Sequence, residues 1–385
     1  MVKRYIAHFD LDSFFVSVEI LRDPSLKGKA IIVGGTSDRG VVSTCSYEAR
    51  KFGVHSAMPM RTAMRLCPHA IILQGTRGEY SRYSRWVTEI ISSRVPVFEK
   101  ASIDEFYCDL TGMDRFFNIP QYVRELREDV IKETGLPISC GLSSAKFISK
   151  MATNEAKPNG FLEIPHGKEK DFLWPLDVGK IGGVGKQTEQ QLKTFGIYKI
   201  EDIARTPVKL LEQYVGSWAE SLWNKSQGIG SADIESDWEQ KSMSRENTFT
   251  ENVTDLDFLH SELVRLTEKV AYDLRSDDKL TGCITVKIRY PDFETTSRQE
   301  TIDYTSLDDQ LIAKAKNLFT KLYRKGEPVR LLGVRFSQLI PFTMQMNLFN
   351  NNEEKLNLYK AVDEIKDRFG GKVVSKGSVV KKKDK

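Results

Sequence analysis

The chain has 385 residues, with 57 lysines and arginines against 53 aspartates and glutamates, which gives a formal net charge of +4. At roughly 100–200 residues per domain this length predicts several domains, and a content of 40% hydrophobic residues excludes a wholly disordered chain. The whole excess lies in residues 350–385, which hold ten basic and six acidic side chains. Net charge alone therefore indicates no partner, and nucleic-acid binding requires charges that are arranged locally.

The sequence has no targeting signal and no stretch approaching about 18 uninterrupted apolar residues, so we expect no membrane partner. Its five cysteines lack any C-x-x-C spacing, which indicates a reducing compartment with neither a zinc site nor disulfides. These cysteines are Cys45, Cys67, Cys108, Cys140 and Cys283. We expect a cytoplasmic protein.

The first 170 residues mix short strands with helices. A strand over 5–9 leads to Asp10, and Asp12 or Ser13 is expected to cap a helix that runs to about Leu21 before Pro24. Further strands are predicted at 30–33, 40–43, 70–73 and 101–110, and helices at 79–95, 120–134 and 143–156. Residues 171–225 are typical of short helices separated by glycines, and 227–240 is the best linker candidate.

Residues 242–340 predict a second unit in the order strand, helix, strand, strand, helix, strand. An Asn-rich stretch and an amphipathic helix with Tyr359, Val362, Ile365 and Phe369 on one face follow. The fold class is therefore α+β and multidomain.

Three acids in apolar surroundings are the main chemical signal. Asp10 follows an apolar strand, and Asp104 and Glu105 lie within another. Burying unpaired carboxylates is unfavourable and close carboxylates repel one another, so such acids need cations. If the two strands are neighbours, the three acids form an oxygen-ligand site of the kind Mg²⁺ prefers. The alternative from these residues alone is that they are turn residues or ordinary ion-pair partners.

A phosphate-binding group is expected beside such a site. Hydroxyls and cations occur together at Thr44, Tyr47, Arg50 and Lys51, and Lys157 supplies a further cation at a predicted helix end. Each of these residues alone is more typical of a solvated surface.

Four segments in this order and spacing resemble motifs of the Y-family translesion DNA polymerases, most closely the bacterial DNA polymerase IV branch. The segments are Asp10-Leu11-Asp12-Ser13-Phe14-Phe15, residues 43–53, Ala101-Ser102-Ile103-Asp104-Glu105 and Ala156-Lys157-Pro158-Asn159-Gly160. The resemblance, which covers about residues 4–349, implies a polymerase right hand. Its parts would be a ferredoxin-like palm (1–10 and 79–168), small fingers (11–78), a helical thumb (169–230), a linker (231–241), a βαββαβ little finger (242–341) and a tail (342–385).

The resemblance also implies roles for single residues. The catalytic acids Asp10, Asp104 and Glu105, with the main-chain carbonyl of Leu11, would hold two Mg²⁺ ions. The incoming deoxynucleoside triphosphate would contact Phe14, Phe15, Thr44, Tyr47, Arg50 and Lys157. Phe15 matches the steric gate that excludes a 2′-hydroxyl, and Val41 and Ser43 match the small residues over the nascent base pair. The family more often has Asn where this chain has Ala145, before Lys146.

Two regions are candidates for binding primer–template DNA. Residues 181–186 fit a helix-hairpin-helix turn, in which Gly183 and Gly185 let backbone amides approach a phosphate and Lys186 adds charge; a plain turn between helices is the alternative. In the second unit, strand alternation places Lys287, Arg289 and Arg335 on the sheet face opposite the apolar residues. Lys241 and Arg245 are further candidates. An ordinary solvated sheet face is the alternative there.

Residues 345–349 resemble the peptide with which bacterial polymerases bind the β sliding clamp, through Gln345, Leu348 and Phe349. The function that we expect is low-fidelity, template-directed DNA synthesis by a monomer, through two-metal-ion nucleotidyl transfer. A nucleotide cyclase with a palm-like sheet and a non-catalytic DNA-binding accessory protein are the two alternatives.

Overall fold

The computed structural model describes residues 3–76, 78–236, 239–342, 352–370 and 373–374, without the side chains of residues 352 and 353. The chain separates into two compact units, Met1–Trp238 and Glu239–Lys385. The boundary between them lies within the predicted linker at 231–241.

The first unit begins with alternating strands and helices and ends with short helices. Its first elements are β1 (Ile6–Leu11), α1 (Phe14–Arg22), β2 (Ile31–Gly34), β3 (Val42–Cys45), α2 (Tyr47–Arg50), α3 (Met60–Leu66), β4 (Ile71–Leu73), α4 (Glu79–Arg94), β5 (Val97–Lys100), β6 (Glu105–Asp109), α5 (Ile119–Thr134), β7 (Ile138–Ser143), α6 (Lys146–Ala156) and β8 (Phe161–Glu163). The helices that follow are α7 (Glu169–Leu173), α8 (Lys186–Thr194), α9 (Ile200–Arg205), α10 (Val208–Val215) and α11 (Ala219–Ser226).

A five-stranded sheet in the order β5-β6-β1-β7-β8 forms the centre of this unit. Strand β1 pairs antiparallel with both β6 and β7, and all six of its residues are buried. Phe9 and the other residues on its face of β1 pack against α4 and α5 in one core. His8 lies on the opposite face of β1 and contacts Thr153 of α6. Helices thus cover both faces, which explains the nearly continuous apolar run of β1.

Two smaller groups of elements surround this sheet. Strands β3, β2 and β4 form a three-stranded sheet in that order, with its own core around Ile32, Val42 and Met60. Helices α7–α11 pack with α6 around a core that includes Ile148, Leu192 and Leu222. None of the helices in the described part of the chain is both long and apolar enough to cross a membrane.

The second unit is an antiparallel sheet with helices on one face. Its elements are β9 (Ser242–Val253), α12 (Leu256–Ser276), β10 (Lys279–Arg289), β11 (Thr295–Thr305), α13 (Asp308–Leu322), β12 (Val329–Pro341) and α14 (Asn352–Phe369). The strand order is β11-β10-β12-β9. Leu263 and Val270 of α12 and Leu318 of α13 pack on inward-facing residues of the strands such as Val286 and Val334.

Helix α14 is held to this unit mainly by polar contacts. The guanidinium of Arg275 lies 2.6 Å from Asp308 and 2.6 Å from Asp363 of α14, and its side chain is only 6% exposed. Lys355 of α14 lies 2.7 Å from Asp309. The predicted tail helix is therefore present and is packed on the second unit.

The element order predicted for residues 242–340 is confirmed, as is the α+β class. The sequence did not predict the edge strands β5 and β8. The predicted strand over 101–110 is shorter, because it begins at Glu105. Ser13 precedes α1 in a left-handed conformation with φ of 44° and makes no capping hydrogen bond, so the predicted cap is wrong.

Candidate active site

Asp10 and Glu105 are directly opposite one another on neighbouring strands. The register of β1 and β6 pairs Asp10 with Glu105, and the amide of Leu11 donates to the carbonyl of Asp104 over 3.0 Å. The expectation that the two acidic strands are neighbours is therefore confirmed. It follows that two carboxylates about one strand spacing apart occupy the same end of the sheet.

Burial makes ionisation of this cluster unfavourable. Asp10 is only 6% exposed. The pKa of Asp10 is raised from its ordinary value to about 7, mainly by loss of solvation and to a smaller extent by the neighbouring carboxylates Glu105 and Asp104, against the opposing effect of Lys157. A carboxylate in this environment takes up a cation readily.

Two lysines now neutralise the two paired acids. Lys157 donates from Nζ to Oδ1 of Asp10 over 2.5 Å. Lys150 donates from Nζ to both carboxylate oxygens of Glu105, over 2.9 and 2.7 Å. Lys150 is a site residue that the sequence did not predict, although its spacing of four from Lys146 on α6 places the two on one helix face.

A buried histidine lies next to Glu105 without forming an ion pair. His8 Nε2 is 4.0 Å from Glu105 Oε2, and burial, with the positive charges of Lys150 and Lys157, lowers the pKa of His8 well below its usual range. The imidazole is therefore neutral near pH 7 and leaves the carboxylate to other cations.

Asp104 differs from the other two acids in its partner. Its Oδ1 accepts a hydrogen bond of 2.5 Å from Ser102 Oγ in the turn before β6. Within the residues that the structure describes, no group of three or more His, Cys, Asp or Glu side chains converges closely enough to hold a metal ion. The donor chemistry nevertheless fits divalent cations, since all three side chains offer carboxylate oxygens and Lys150 and Lys157 already occupy cation positions beside two of them.

Three of the candidate phosphate-binding residues, Thr44, Tyr47 and Arg50, lie on β3 and α2. Thr44 is mostly buried on β3, and Tyr47 opens α2, whose N-terminus is capped by Ser46. The exposed guanidinium of Arg50 lies over the ring of Tyr47, 4.7 Å from its centroid. Burial, with the hydrogen bond to Asp12, raises the pKa of the Tyr47 hydroxyl, so this group stays a neutral donor.

One carboxylate joins Tyr47 to the segment that carries Lys157. Tyr47 donates to Asp12 Oδ1 over 2.9 Å, and the amide of Asn159 donates to Asp12 Oδ2 over 2.8 Å. The sequence analysis considered Asp12 only as a helix cap. Its acid character immediately after a buried strand was the available signal.

Phe15 stacks on an anchored tyrosine. The rings of Phe15 and Tyr80 are parallel within 15°, with centroids 4.1 Å apart. The hydroxyl of Tyr80 donates to Glu19 over 2.6 Å. Phe14 is buried in the main core, whereas Val41 and Ser43 are exposed.

Two glycines shape the turn that precedes α8. Gly183 adopts φ of 100°, and a Cβ there would meet the ring of Trp218 at 3.0 Å. Gly185 is the N-cap of α8 without a side-chain cap, and Lys186 is its first residue. The helix therefore starts with amides that its own side chains leave uncapped.

The open face of the second sheet carries some, but not all, of the predicted cations. Pairing of β10 with β12 places Thr285 opposite Arg335, and Lys287 and Arg289 follow on the same face of β10. Arg245 pairs with Val334, which faces the helices, and its guanidinium binds Asp273 of α12. The structure thus separates Arg245 from the predicted basic face, and Lys241 is an exposed residue just before β9.

The acid Glu246 also lies on this face of the sheet. Glu246 and Lys287 are both opposite Gly333 of β12, from either side, and their side chains form an ion pair. A Cβ on Gly333 would meet Cγ of Glu246 at 2.8 Å. The glycine therefore leaves the space in which this ion pair forms.

Comparisons with protein-family models and with individual proteins agree with one another. The impB/mucB/samB family matches residues 9–154, its C-terminal domain matches residues 240–348, and the IMS family HHH motif matches residues 166–197. The chain is 37% identical to DNA polymerase IV of Dehalococcoides mccartyi over 99% of both chains. It is 36% identical to DNA polymerase IV of Treponema denticola, over 97% of this chain and 96% of that protein.

Solved structures are similar as well. A Y-family DNA polymerase chimera of Dbh and Dpo4 matches with a TM-score of 0.77 and 26% identity, over 88% of this chain and 99% of that one. The insertion ternary complex of Dbh DNA polymerase matches with a TM-score of 0.65, at the same identity and coverage. From these similarities and the paired acids of its central sheet, the chain belongs to the Y-family DNA polymerases, within the family of DNA polymerase IV.

Proposed function

We propose that Asp10, Asp104 and Glu105 form the active centre at which a primer 3′-hydroxyl attacks the α-phosphate of a deoxynucleoside triphosphate. The enzyme is a template-directed DNA polymerase of the low-fidelity translesion class. The observation that carries the assignment is the direct pairing of Asp10 with Glu105 at one end of the central sheet.

Two Mg²⁺ ions fit this donor set, with Asp10, the main-chain carbonyl of Leu11, Asp104 and Glu105 as ligands. When bound, two such ions activate the attacking hydroxyl and stabilise the leaving pyrophosphate. The protein itself keeps the acids on two hydrogen-bonded strands and neutralises two of them beforehand through Lys150 and Lys157. This arrangement limits carboxylate repulsion before substrate arrives.

Thr44, Tyr47, Arg50 and Lys157 are proposed to hold the triphosphate. Arg50 offers a planar fork for bidentate phosphate binding, Lys157 a compact positive charge, and the two hydroxyls orient the phosphates. The ion pair of Lys157 with Asp10 supports the assignment, because it brings the proposed phosphate ligand to the acid cluster.

Phe15 is proposed as the steric gate for the sugar, with Phe14 packed behind it as part of the same contact. The stack on Tyr80 supports this role, because a ring held on one face yields little to an added hydroxyl. Val41 and Ser43 are proposed to cover the nascent base pair with little steric constraint, and their exposure is compatible with that.

Primer–template DNA is proposed to bind through phosphate contacts at two places. The first is the turn with Gly183, Gly185 and Lys186 at the start of α8. The second is the sheet face with Lys287, Arg289 and Arg335. Lys241 is retained as a weaker candidate, and Arg245 is not.

The β sliding clamp is proposed as a protein partner through Gln345, Leu348 and Phe349, which lie outside the described residues. Deleting residues 345–349 is expected to leave clamp-free extension intact and to abolish stimulation by the clamp. We also propose that the enzyme is a monomer and works in the cytoplasm. The five buried free cysteines are compatible with a reducing compartment.

Primer extension tests the active centre. Asp104→Ala is expected to abolish Mg²⁺-dependent extension while binding of primer–template DNA persists, because a metal ligand is lost without disturbing the DNA contacts. Asp114→Ala, which removes an exposed acid beyond the opposite end of β6 from Glu105, is the matched control and should extend normally. Near-normal extension by Asp104→Ala would exclude the proposed metal site.

A further inference from the structure

The carboxylate of Asp12 is a buried junction of three chain segments. It is 1% exposed and accepts hydrogen bonds from Tyr47, Ser139 and Asn159. Tyr47 Oη donates to Oδ1 over 2.9 Å, whereas Ser139 Oγ and the amide of Asn159 donate to Oδ2 over 2.7 and 2.8 Å. Both oxygens are therefore used, and every partner is a donor.

Two of the three segments carry the proposed triphosphate ligands. Tyr47 is itself one of them, and Asn159 follows Lys157 by two residues. Ser139, the third partner, also accepts a hydrogen bond of 3.2 Å from the amide of Gly160. The turn that contains Asn159 and Gly160 is therefore bound both by Asp12 directly and by Ser139. Asp12 thus fixes the Tyr47 hydroxyl relative to the turn that carries Lys157.

A carboxylate makes the Tyr47 hydroxyl the donor of its bond to Asp12. An ionised carboxylate accepts at both oxygens and donates nothing, whereas an asparagine could keep Ser139 and the Asn159 amide on its carbonyl oxygen only by turning its N–H donors toward the Tyr47 hydroxyl, which would then have to accept. Hydrogen bonds to a buried charge are also stronger than neutral ones. The substitution Asp12→Asn therefore keeps the shape of the side chain but removes the charge and reverses the hydrogen bond that orients Tyr47.

We propose that Asp12 is a positioning residue for the incoming nucleotide, which acts by fixing Tyr47 and the Lys157 turn against each other so that both reach one triphosphate. The inference rests on the proposed function of Tyr47 and Lys157. Asp12 itself need not touch the nucleotide, because its oxygens are already occupied. Its effect should therefore appear in nucleotide affinity rather than in DNA affinity.

Steady-state kinetics of single-nucleotide insertion tests the inference. Asp12→Asn is expected to raise KM for the deoxynucleoside triphosphate about tenfold and to weaken inhibition by pyrophosphate by a similar factor, since one charged hydrogen bond is lost. The fall in kcat should be smaller, and the affinity for primer–template DNA, measured by fluorescence anisotropy, should stay within about twofold. Asp114→Asn serves as the control and should change none of these values.

A double-mutant cycle with Tyr47→Phe separates positioning from general support of the fold. If Asp12 acts through the Tyr47 hydroxyl, Asp12→Asn should raise KM less in the Tyr47→Phe background than in the wild-type protein. Multiplicative effects, or an unchanged KM with a reduced fraction of active enzyme, would overturn the proposal.

Two further variants distinguish misfolding of Asp12→Asn, an incorrect triphosphate site and an incorrect role for Asp12. If Asp12→Asn fails to fold, Ser139→Ala removes one donor from the junction and should still raise KM in the same direction; an unchanged KM then counts against the inference. If Tyr47→Phe and Lys157→Met both leave KM unchanged, the proposed triphosphate site is itself wrong. If they raise KM and Asp12→Asn does not, only the role of Asp12 is refuted.

Discussion

Lys157 and Asp10, which are 147 positions apart in sequence, form an ion pair of 2.5 Å at the end of the central sheet. The lysine belongs to the proposed triphosphate site and the aspartate to the proposed metal site. One positive charge of the proposed triphosphate site and one negative charge of the proposed metal site therefore offset each other. This contact reduces the electrostatic cost of burying the Asp10 carboxylate.

Asp10 should make the stability of the metal-free protein depend on pH. Its pKa in the folded protein is raised to about 7, mainly by burial. The folded state therefore binds this proton more tightly than the unfolded state, and the stabilising contribution is lost as pH rises through the folded-state pKa. The free energy of unfolding should thus fall between about pH 4, near the unfolded-state pKa, and about pH 7, relative to that of Asp10→Asn. Denaturant unfolding with EDTA at several pH values measures this, and a difference that is independent of pH would contradict it.

Phe15 should control sugar selection. Removing its ring with Phe15→Ala opens space for a 2′-hydroxyl, and relief of a steric clash of about 1–3 kcal/mol corresponds to roughly 5–150-fold better use of ribonucleotides. The measurement is the ratio of kcat/KM for a ribonucleotide and its deoxyribonucleotide. Phe15→Leu retains bulk and should lie between the two, and unchanged selectivity in Phe15→Ala would remove the gate assignment.

Arg335 and Arg245 should differ in their effect on DNA binding. Arg335 lies on the open sheet face, so Arg335→Ala should weaken binding and lower the salt slope by about one unit. Arg245 lies on the helix side and binds Asp273, so Arg245→Ala should change neither value. Affinity for primer–template DNA measured across a salt series distinguishes them. Equal effects of the two variants would show that the face is not the binding surface.

Arg275 should be important for the stability of the second unit. It is almost fully buried between Asp308 and Asp363, so Arg275→Met leaves two carboxylates without their cation and should lower the free energy of unfolding by about 3 kcal/mol. Arg324→Met is the control, because its partners Glu294 and Glu327 are half-exposed and remain solvated. Thermal and denaturant unfolding compare the variants, and equal stability of the two would refute the prediction.

Apolar runs and alternation along the chain predicted the main elements, because β1 is buried throughout and β10 alternates between buried and partly exposed positions from Ile284 to Arg289. Alternation along β9 already indicated that Arg245, two residues from the buried Met243, lies on the helix side of the sheet. The contacts of Lys150 with Glu105 and of Asp12 with Tyr47 were not predictable in this way. They join segments that are 45 and 35 positions apart, and periodicity within one element carries no information on which segments meet.

The ion pair of Lys287 with Glu246 beside Gly333 reduces the electrostatic attraction that this lysine offers to a phosphate on the open sheet face. A phosphate that approaches this lysine exchanges one anion for another, so the contact adds little net attraction and little counterion release. Lys287 should therefore contribute little to the time that DNA remains bound at this face, even though it lies on the same strand face as Arg289.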